Sequence, residues 1–225
     1  MKRKIIKTAD GSSTIFIEEW NEHYHSKHGA IQEAYHVFIE MGLNPIKANF
    51  SDRPLRILEI GFGTGLNAII TLIEAKRSTL KIEYTGVEAF PVTREEWELL
   101  NYTDQLHAEK YAAAFKAMHE GVWETALELT PDFSLTKQQK DFTAIDDHEA
   151  YDLIYFDAFG ARVQPELWGE SVFKLMYDAL DTHGVLVTYA SKGSVRRAML
   201  AVGFQTEKLP GPPGKREMLR AVKAP

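Results

Sequence analysis

The chain has 225 residues, 44% hydrophobic and 26% charged, with 15 Gly and 9 Pro, enough for the core of one sizeable domain and little for a second. This composition excludes collagen-like, low-complexity and fully disordered chains, and the absence of cysteine excludes disulfides, thiolate metal sites, iron–sulfur clusters and a cysteine nucleophile. The net charge of −6 argues against a polyanionic partner for the chain as a whole. At the N-terminus, M-K-R-K-I-I-K-T-A-D turns polar before any signal-peptide core, and no run approaches the ~20 apolar residues of a membrane span. The expectation is a cytoplasmic protein with no membrane partner.

The first expected element is a hairpin whose β-prone runs flank Asp10-Gly11, two residues that tolerate positive φ. Over residues 29–41, Ala30, Ile31, Ala34, Val37, Phe38 and Met41 recur at helical spacing, with Gly42 as the expected C-cap. After a polar connector at 44–54, short apolar strands alternate with amphipathic helices, the signature of a parallel sheet. Strands are predicted at 55–60, 82–87, 151–156 and 184–190, and helices at 66–76, 102–118 and 165–179, with Trp168, Val172 and Leu175 inward. Pro91 suits the first turn of the helix after the second strand. Residues 122–141 are ambiguous, with room for a short third strand and an insertion.

Helix 195–202 is followed by strands 204–209 and 217–222, joined by P-G-P-P-G. That link is too short for a parallel crossover, so the sheet should end in an antiparallel hairpin. Residues 1–50 read as a hairpin-and-helix extension packed on the core, and 51–225 as the main domain, one structural unit overall. The tail also changes the charge argument. Residues 190–225 carry Lys192, Arg196, Arg197, Lys208, Lys215, Arg216, Arg220 and Lys223 against Glu207 and Glu217, a local +6 on a body of −12. Such a segment is either a nucleic-acid patch or ordinary solvated surface.

The most informative stretch is I-L-E-I-G-F-G-T-G-L-N, residues 57–67, between a strand and a helix. Gly61, Gly63 and Gly65 allow a tight turn and close approach of a ligand, with Glu59 just before them and Asn67 opening the helix. Leu66 stands where a dinucleotide fingerprint wants Gly or Ala, and a P-loop's Lys-Ser/Thr is missing. The pattern suits a nucleoside cofactor without pyrophosphate, chiefly S-adenosylmethionine; a structural glycine turn is the alternative. Glu88 ends the second strand, placed to accept hydrogen bonds from ribose hydroxyls. Asp141, after the third strand, is either a contact to the adenine amino group or a solvated acid. Asp157 ends the fourth strand beside the expected methyl donor, where it can hydrogen-bond and aim an amine. Phe159 and Tyr155 either flank the acceptor or belong to the core. His23, His25 and His28 form H-x-H-x-x-H without a carboxylate at fixed spacing, and no metal is assigned.

Several segments together resemble the MnmC-like methyltransferases of tRNA wobble-uridine modification. They are D-G-S at residue 10, Y-H-S-K-H-G-A-I-Q-E-A-Y-H-V-F at 24–38, the glycine motif, F-D-A-F-G-A-R-V-Q-P-E-L-W at 156–168, S-V-R-R-A-M-L-A-V-G-F at 194–204 and G-P-P-G-K-R-E-M-L at 211–219. The glycine motif is shared by many methyltransferases, whereas the Y-H-S…E…V-F stretch and the tail V-R-R…G-F…G-x-x-x-K-R-E are much more specific. The resemblance implies a class I (Rossmann-like) α/β fold with a mostly parallel sheet and a C-terminal antiparallel hairpin. It implies methylation of the exocyclic amine of 5-aminomethyl-2-thiouridine, S-adenosyl-L-methionine at Glu59, Gly61, Gly63, Gly65, Asn67, Glu88, Asp141 and Tyr24, and Asp157 at the transfer centre. His25 and Glu33 would join Tyr24 at the rim, with Phe159 on the substrate and Arg196, Arg197, Lys215 and Arg216 on the phosphates of the tRNA anticodon region. Bifunctional members add a flavin oxidoreductase domain; a chain ending at Pro225 is expected to use no flavin, and a separate enzyme would supply the aminomethyl substrate. The sequence departs from the family at Gly160-Ala161, where Ala-Pro is common, and over 133–142. Two other readings are a small-molecule amine methyltransferase or aminopropyltransferase, which would ignore the basic tail, and a non-catalytic RNA-binding module, which need take up no cofactor.

Overall fold

The computed structural model describes residues 2–225. The chain opens with a three-stranded antiparallel sheet, β1 (Arg3–Lys7), β2 (Ser13–Ile17) and β3 (Glu22–His23). β1 and β2 are the expected hairpin, paired from Arg3 against Ile17 to Lys7 against Ser13. The two-residue β3 is too short to leave a periodic signal. α1 (Ala30–Ala34) begins the predicted helix, which winds on as a π-helix over Tyr35–Leu43 into α2 (Asn44–Ile46). Gly42 therefore lies inside the helix and does not cap it. A Cβ there would stand 2.9 Å from Val187, so this glycine serves the close approach of helix to sheet.

β4 (Leu55–Ile60), α3 (Leu66–Ser78) and β5 (Ile82–Val87) follow where expected, α3 running two residues longer. Pro91 falls outside the next helix, because α4 (Arg94–Trp97) is started instead by a capping box between Thr93 and Glu96. The predicted helix at 102–118 is broken into α5 (Tyr102–Gln105), a 3-10 turn at Glu109–Tyr111 and α6 (Ala112–Glu120), with His107 at φ +49° interrupting it. The ambiguous 122–141 holds a hairpin, β6 (Ala126–Thr130) and β7 (Phe133–Gln138).

β8 (Tyr151–Phe156) leads through a 3-10 turn at Pro165–Trp168 to α7 (Glu170–Ala179). Leu175 is only half-buried; Phe173 and Met176 join Trp168 and Val172 inside. β9 (Leu180–Thr188) starts four residues earlier than predicted, where Leu180 pairs with Tyr151 and the polar D-T-H-G hides the strand. α8 (Gly193–Ala201), β10 (Phe204–Pro210) and β11 (Glu217–Lys223) complete the chain.

The large sheet has the order β10-β11-β9-β8-β4-β5-β7-β6. The five strands from β9 to β7 are parallel, and β11 lies antiparallel between β9 and β10. The closing hairpin is as expected, while antiparallel β6 adds an edge strand at the other side. Apolar clusters cover both faces, which is why β4 and β8 read as nearly unbroken hydrophobic runs. The order switches direction at β4, with β5 and β7 on one side and β8 and β9 on the other. Open α/β sheets bind ligands in the crevice at the carboxyl ends of strands flanking such a switch. Among the described residues no helix is long and apolar enough to cross a membrane.

Candidate active site

A cavity of about 770 Å³ opens at that crevice. Its floor follows from strand register. Ile60 pairs with Val87 on one side and with Phe156 on the other, so the next residues, Gly61, Glu88 and Asp157, emerge side by side. Gly61 has φ +89°, and a Cβ on it would stand 2.8 Å from the Asp157 carbonyl oxygen. Only glycine fits there. The Gly63 N–H donates to Glu88 Oε2 (3.0 Å) and the Phe90 N–H to Oε1 (2.9 Å). A carboxylate has about four acceptor positions, so Glu88 keeps acceptor capacity for a ligand. Burial raises its carboxyl above the ordinary range. Asp141 also lines the cavity, held low by bonds from the Thr143 hydroxyl and N–H.

Asp157 accepts from the Asn67 amide (Nδ2 to Oδ2, 2.9 Å). The same nitrogen donates to Glu59 Oε1 (2.9 Å), whose other oxygen accepts from the Tyr84 hydroxyl (2.8 Å). Burial pushes the Asp157 carboxyl up to about 8; the charge of Glu33 adds to the rise, while Asn67 and Lys215 oppose it.

The roof comes from residues far away in sequence. Trp20, Tyr24 and His25 line it, with Phe159 edge-on to both Trp20 (5.3 Å) and Tyr24 (4.9 Å). Gly63 lets Tyr24 lie close, a Cβ there being only 3.1 Å from its ring. His25 shares a 2.7 Å hydrogen bond with Thr64, and burial pushes its pKa down to about 4, leaving it neutral at physiological pH. Arg3 ties β1 to the loop after β5 through the Phe90 and Pro91 carbonyls and Glu96. Arg162 reaches back to the Trp20 carbonyl and Glu22, both at 2.8 Å.

Of the residues singled out in the sequence, Gly61, Gly63, Glu88, Asp141, Asp157, Tyr24, Phe159 and Lys215 meet around this cavity, joined by His23, His25 and Glu33. Glu59, Gly65 and Asn67 do not line it. Glu59 and Asn67 are buried beneath, bracing Asp157, and Gly65 starts α3 at φ +72° against His119. Tyr155 is fully buried in the core. The three histidines diverge: His23 packs on Phe16, His25 on Thr64, and His28 against Gly214. Half of the tail's eight basic side chains are paired within the fold, as Lys208–Glu217, Arg220–Glu207, Lys223–Glu149 and Lys215–Glu33. Arg196 donates to Thr206. Lys192, Arg197 and Arg216 stay exposed, without an ion pair among the described residues. Trp20, Arg3 and Tyr189 are cavity residues that sequence reasoning missed. Tyr189 falls inside the strand expected at 184–190; the strand in fact ends at Thr188, which puts Tyr189 directly after it at the crevice.

The glycine turn that no side chain could share with Asp157, the remaining acceptor capacity of Glu88 and the size of the cavity together fit a nucleoside with exposed hydroxyls. A family model described as S-adenosyl-L-methionine-dependent methyltransferase matches residues 103–224. The chain is 30% identical to the tRNA 5-methylaminomethyl-2-thiouridine biosynthesis bifunctional protein MnmC of Cupriavidus metallidurans, over 94% of this chain and 33% of that protein. With the protein of the same name from Aliivibrio fischeri it shares 29%, over 92% and 35%. The chain thus spans about a third of the length of the curated relatives it matches. Among solved structures, MNMC2 from Aquifex aeolicus superposes with a TM-score of 0.80 at 27% identity, covering 100% of this chain and 71% of that one. Spermidine synthase from Thermotoga maritima shares the fold, with a TM-score of 0.59 at 14% identity over 99% of this chain and 68% of its own.

Proposed function

The chain belongs to the S-adenosyl-L-methionine-dependent methyltransferase family, and we propose that its acceptor is the exocyclic primary amine of 5-aminomethyl-2-thiouridine at the tRNA wobble position. The relatives' names support this substrate, and the observation that carries the chemistry is the buried Asp157 carboxyl at the cavity floor. Gly61 and Gly63 would give the cofactor backbone room, Glu88 its ribose acceptors and Asp141 an acceptor for the adenine amino group, with Tyr24 packed over the turn. Glu59, Gly65 and Asn67 hold this frame from below. The bound cofactor supplies a methyl carbon on a sulfonium. An ammonium ion has no lone pair to attack it, so a proton must first leave the acceptor nitrogen. In its ionised form, which gains population as pH rises toward about 8, Asp157 accepts a hydrogen bond from that nitrogen and takes the proton, and the raised pKa makes this carboxylate a stronger base than an ordinary one.

Residues 1–50 act in this reading as an extension that roofs the methyltransferase domain of 51–225, with Trp20 and Phe159 beside the uracil ring. Arg197 and Arg216, with Arg196 and Lys192, meet phosphates of the anticodon region. A separate enzyme supplies the aminomethyl arm. The test is transfer of label from methyl-labelled S-adenosylmethionine to tRNA with and without that arm. Label should appear only on the amine-bearing tRNA; no label on it would overturn the reading.

A further inference from the structure

The roof of the cavity contains a complete cation site, and the protein's own Lys215 fills it. The Lys215 ammonium lies 2.5 Å from Glu33 Oε2 and 3.8 Å from the centre of the Tyr189 ring. Both partners are fixed. Glu33 is 7% exposed, with its other oxygen held by the Ser26 N–H (3.1 Å), and the Tyr189 hydroxyl donates to the Ala158 carbonyl (2.8 Å), one residue beyond Asp157. A buried carboxylate beneath an aromatic face is a strong site for an alkylammonium ion. All four residues, Glu33, Asp157, Tyr189 and Lys215, line the one cavity.

Resting on the tRNA-amine reading above, we propose that Glu33 and Tyr189 form the subsite for the substrate's aminomethyl group, and that Lys215 is a built-in competitor which the incoming amine displaces. The end of a lysine side chain and the aminomethyl arm are the same chemical group, a methylene bearing an ammonium. Lys215 sits on the short loop between β10 and β11 and is one-third exposed, so its strongly hydrated charge can swing out to water. An unmodified wobble uridine has no cation to exchange for it and leaves the pair closed. The device therefore selects for tRNA that already carries the amine. It also assigns Lys215 a role other than holding phosphate, since its charge is turned into the cavity.

The test compares binding of two tRNAs, with and without the aminomethyl arm, to wild type, Lys215→Met and Glu33→Gln, with cofactor affinity as the check that the cavity is intact. Lys215→Met should bind the amine-bearing tRNA about tenfold more tightly than wild type, with the unmodified tRNA within about twofold, and Glu33→Gln should erase the preference between the two. Equal weakening toward both tRNAs, or no change toward either, overturns the proposal. A second probe needs no tRNA: ethylammonium chloride titrated against the Tyr189 ring resonance. A saturable shift should appear at lower concentration in Lys215→Met, or in Lys215→Gln if the first variant does not fold, and vanish when Glu33→Gln is added. Absence of that shift rejects the amine subsite itself, whereas failure of methyl labelling rejects the tRNA substrate.

Discussion

The floor and the roof of the cavity are built by different physics. The floor is made by register: once β4 pairs with β5 and β8, Gly61, Glu88 and Asp157 have nowhere else to go. The roof is assembled from side-chain bonds between segments distant in sequence, such as Arg3 with Glu96, Arg162 with Glu22 and Lys215 with Glu33. In the function proposed above this becomes a division of labour, with the floor holding the cofactor and the acid, and the roof deciding which acceptor enters. Substitutions on the two sides should therefore fail in different ways.

The largest expected effect is at the floor. Asp157→Ala should lower the methyl-transfer rate by about 10²–10⁴-fold, the usual worth of a positioned acid or base. Cofactor affinity measured by calorimetry should hold within about threefold. Equal losses in both would make Asp157 a binding residue. Next comes Glu88→Ala, which removes hydrogen bonds from a charged acceptor and should weaken cofactor binding by about 10–100-fold. Its turnover at saturating cofactor should stay close to wild type, a split that steady-state kinetics would read directly.

A smaller effect concerns pH. The Asp157 carboxyl ordinarily titrates near 3.8 and in the fold is raised to about 8. The folded chain thus binds this proton more tightly than the unfolded chain, and the residue withdraws stability as pH climbs from about 4 to 8. Asp157→Asn should melt higher than wild type at pH 8, with the gap closing toward pH 4; a gap independent of pH would show that the carboxyl is not raised. The smallest effect belongs to the roof. Arg162→Ala breaks an exposed contact to Glu22 and should cost under about 1 kcal/mol of stability. It should raise KM for tRNA a few-fold with cofactor affinity unchanged, and a loss of cofactor binding instead would erase the distinction between the two sides.

The same division explains what could be read in the sequence. β4, β5 and β8 begin and end where their mainly apolar runs do, because most positions of strands covered on both faces are buried and the few polar ones, Arg56, Glu59, Glu83, Thr85 and Asp152, fall inside the runs and not at their ends. The acids that follow them were legible for the same reason. The break at His107, the edge strand β6 and the start of β9 were not, since each depends on pairing or packing partners elsewhere in the chain. Lys215 shows the limit most clearly. In sequence it is one of eight basic tail residues, and only the fold carries it across to a buried acid 182 residues away. Glu59 and Asn67, read as cofactor contacts, lie one layer deeper because β4 and the first turn of α3 place them under the glycine turn and not on it.

The central claim is that the crevice beside β4 takes S-adenosylmethionine with its reactive carbon directed at Asp157. A crystal structure of the protein soaked with that ligand tests it most directly. The account predicts the ribose on Glu88, the backbone of Gly61 and Gly63 against the ligand, and the sulfonium methyl facing the space between Asp157 and Tyr189. A ligand seated elsewhere, or bound there with its methyl turned away from Asp157, would contradict it.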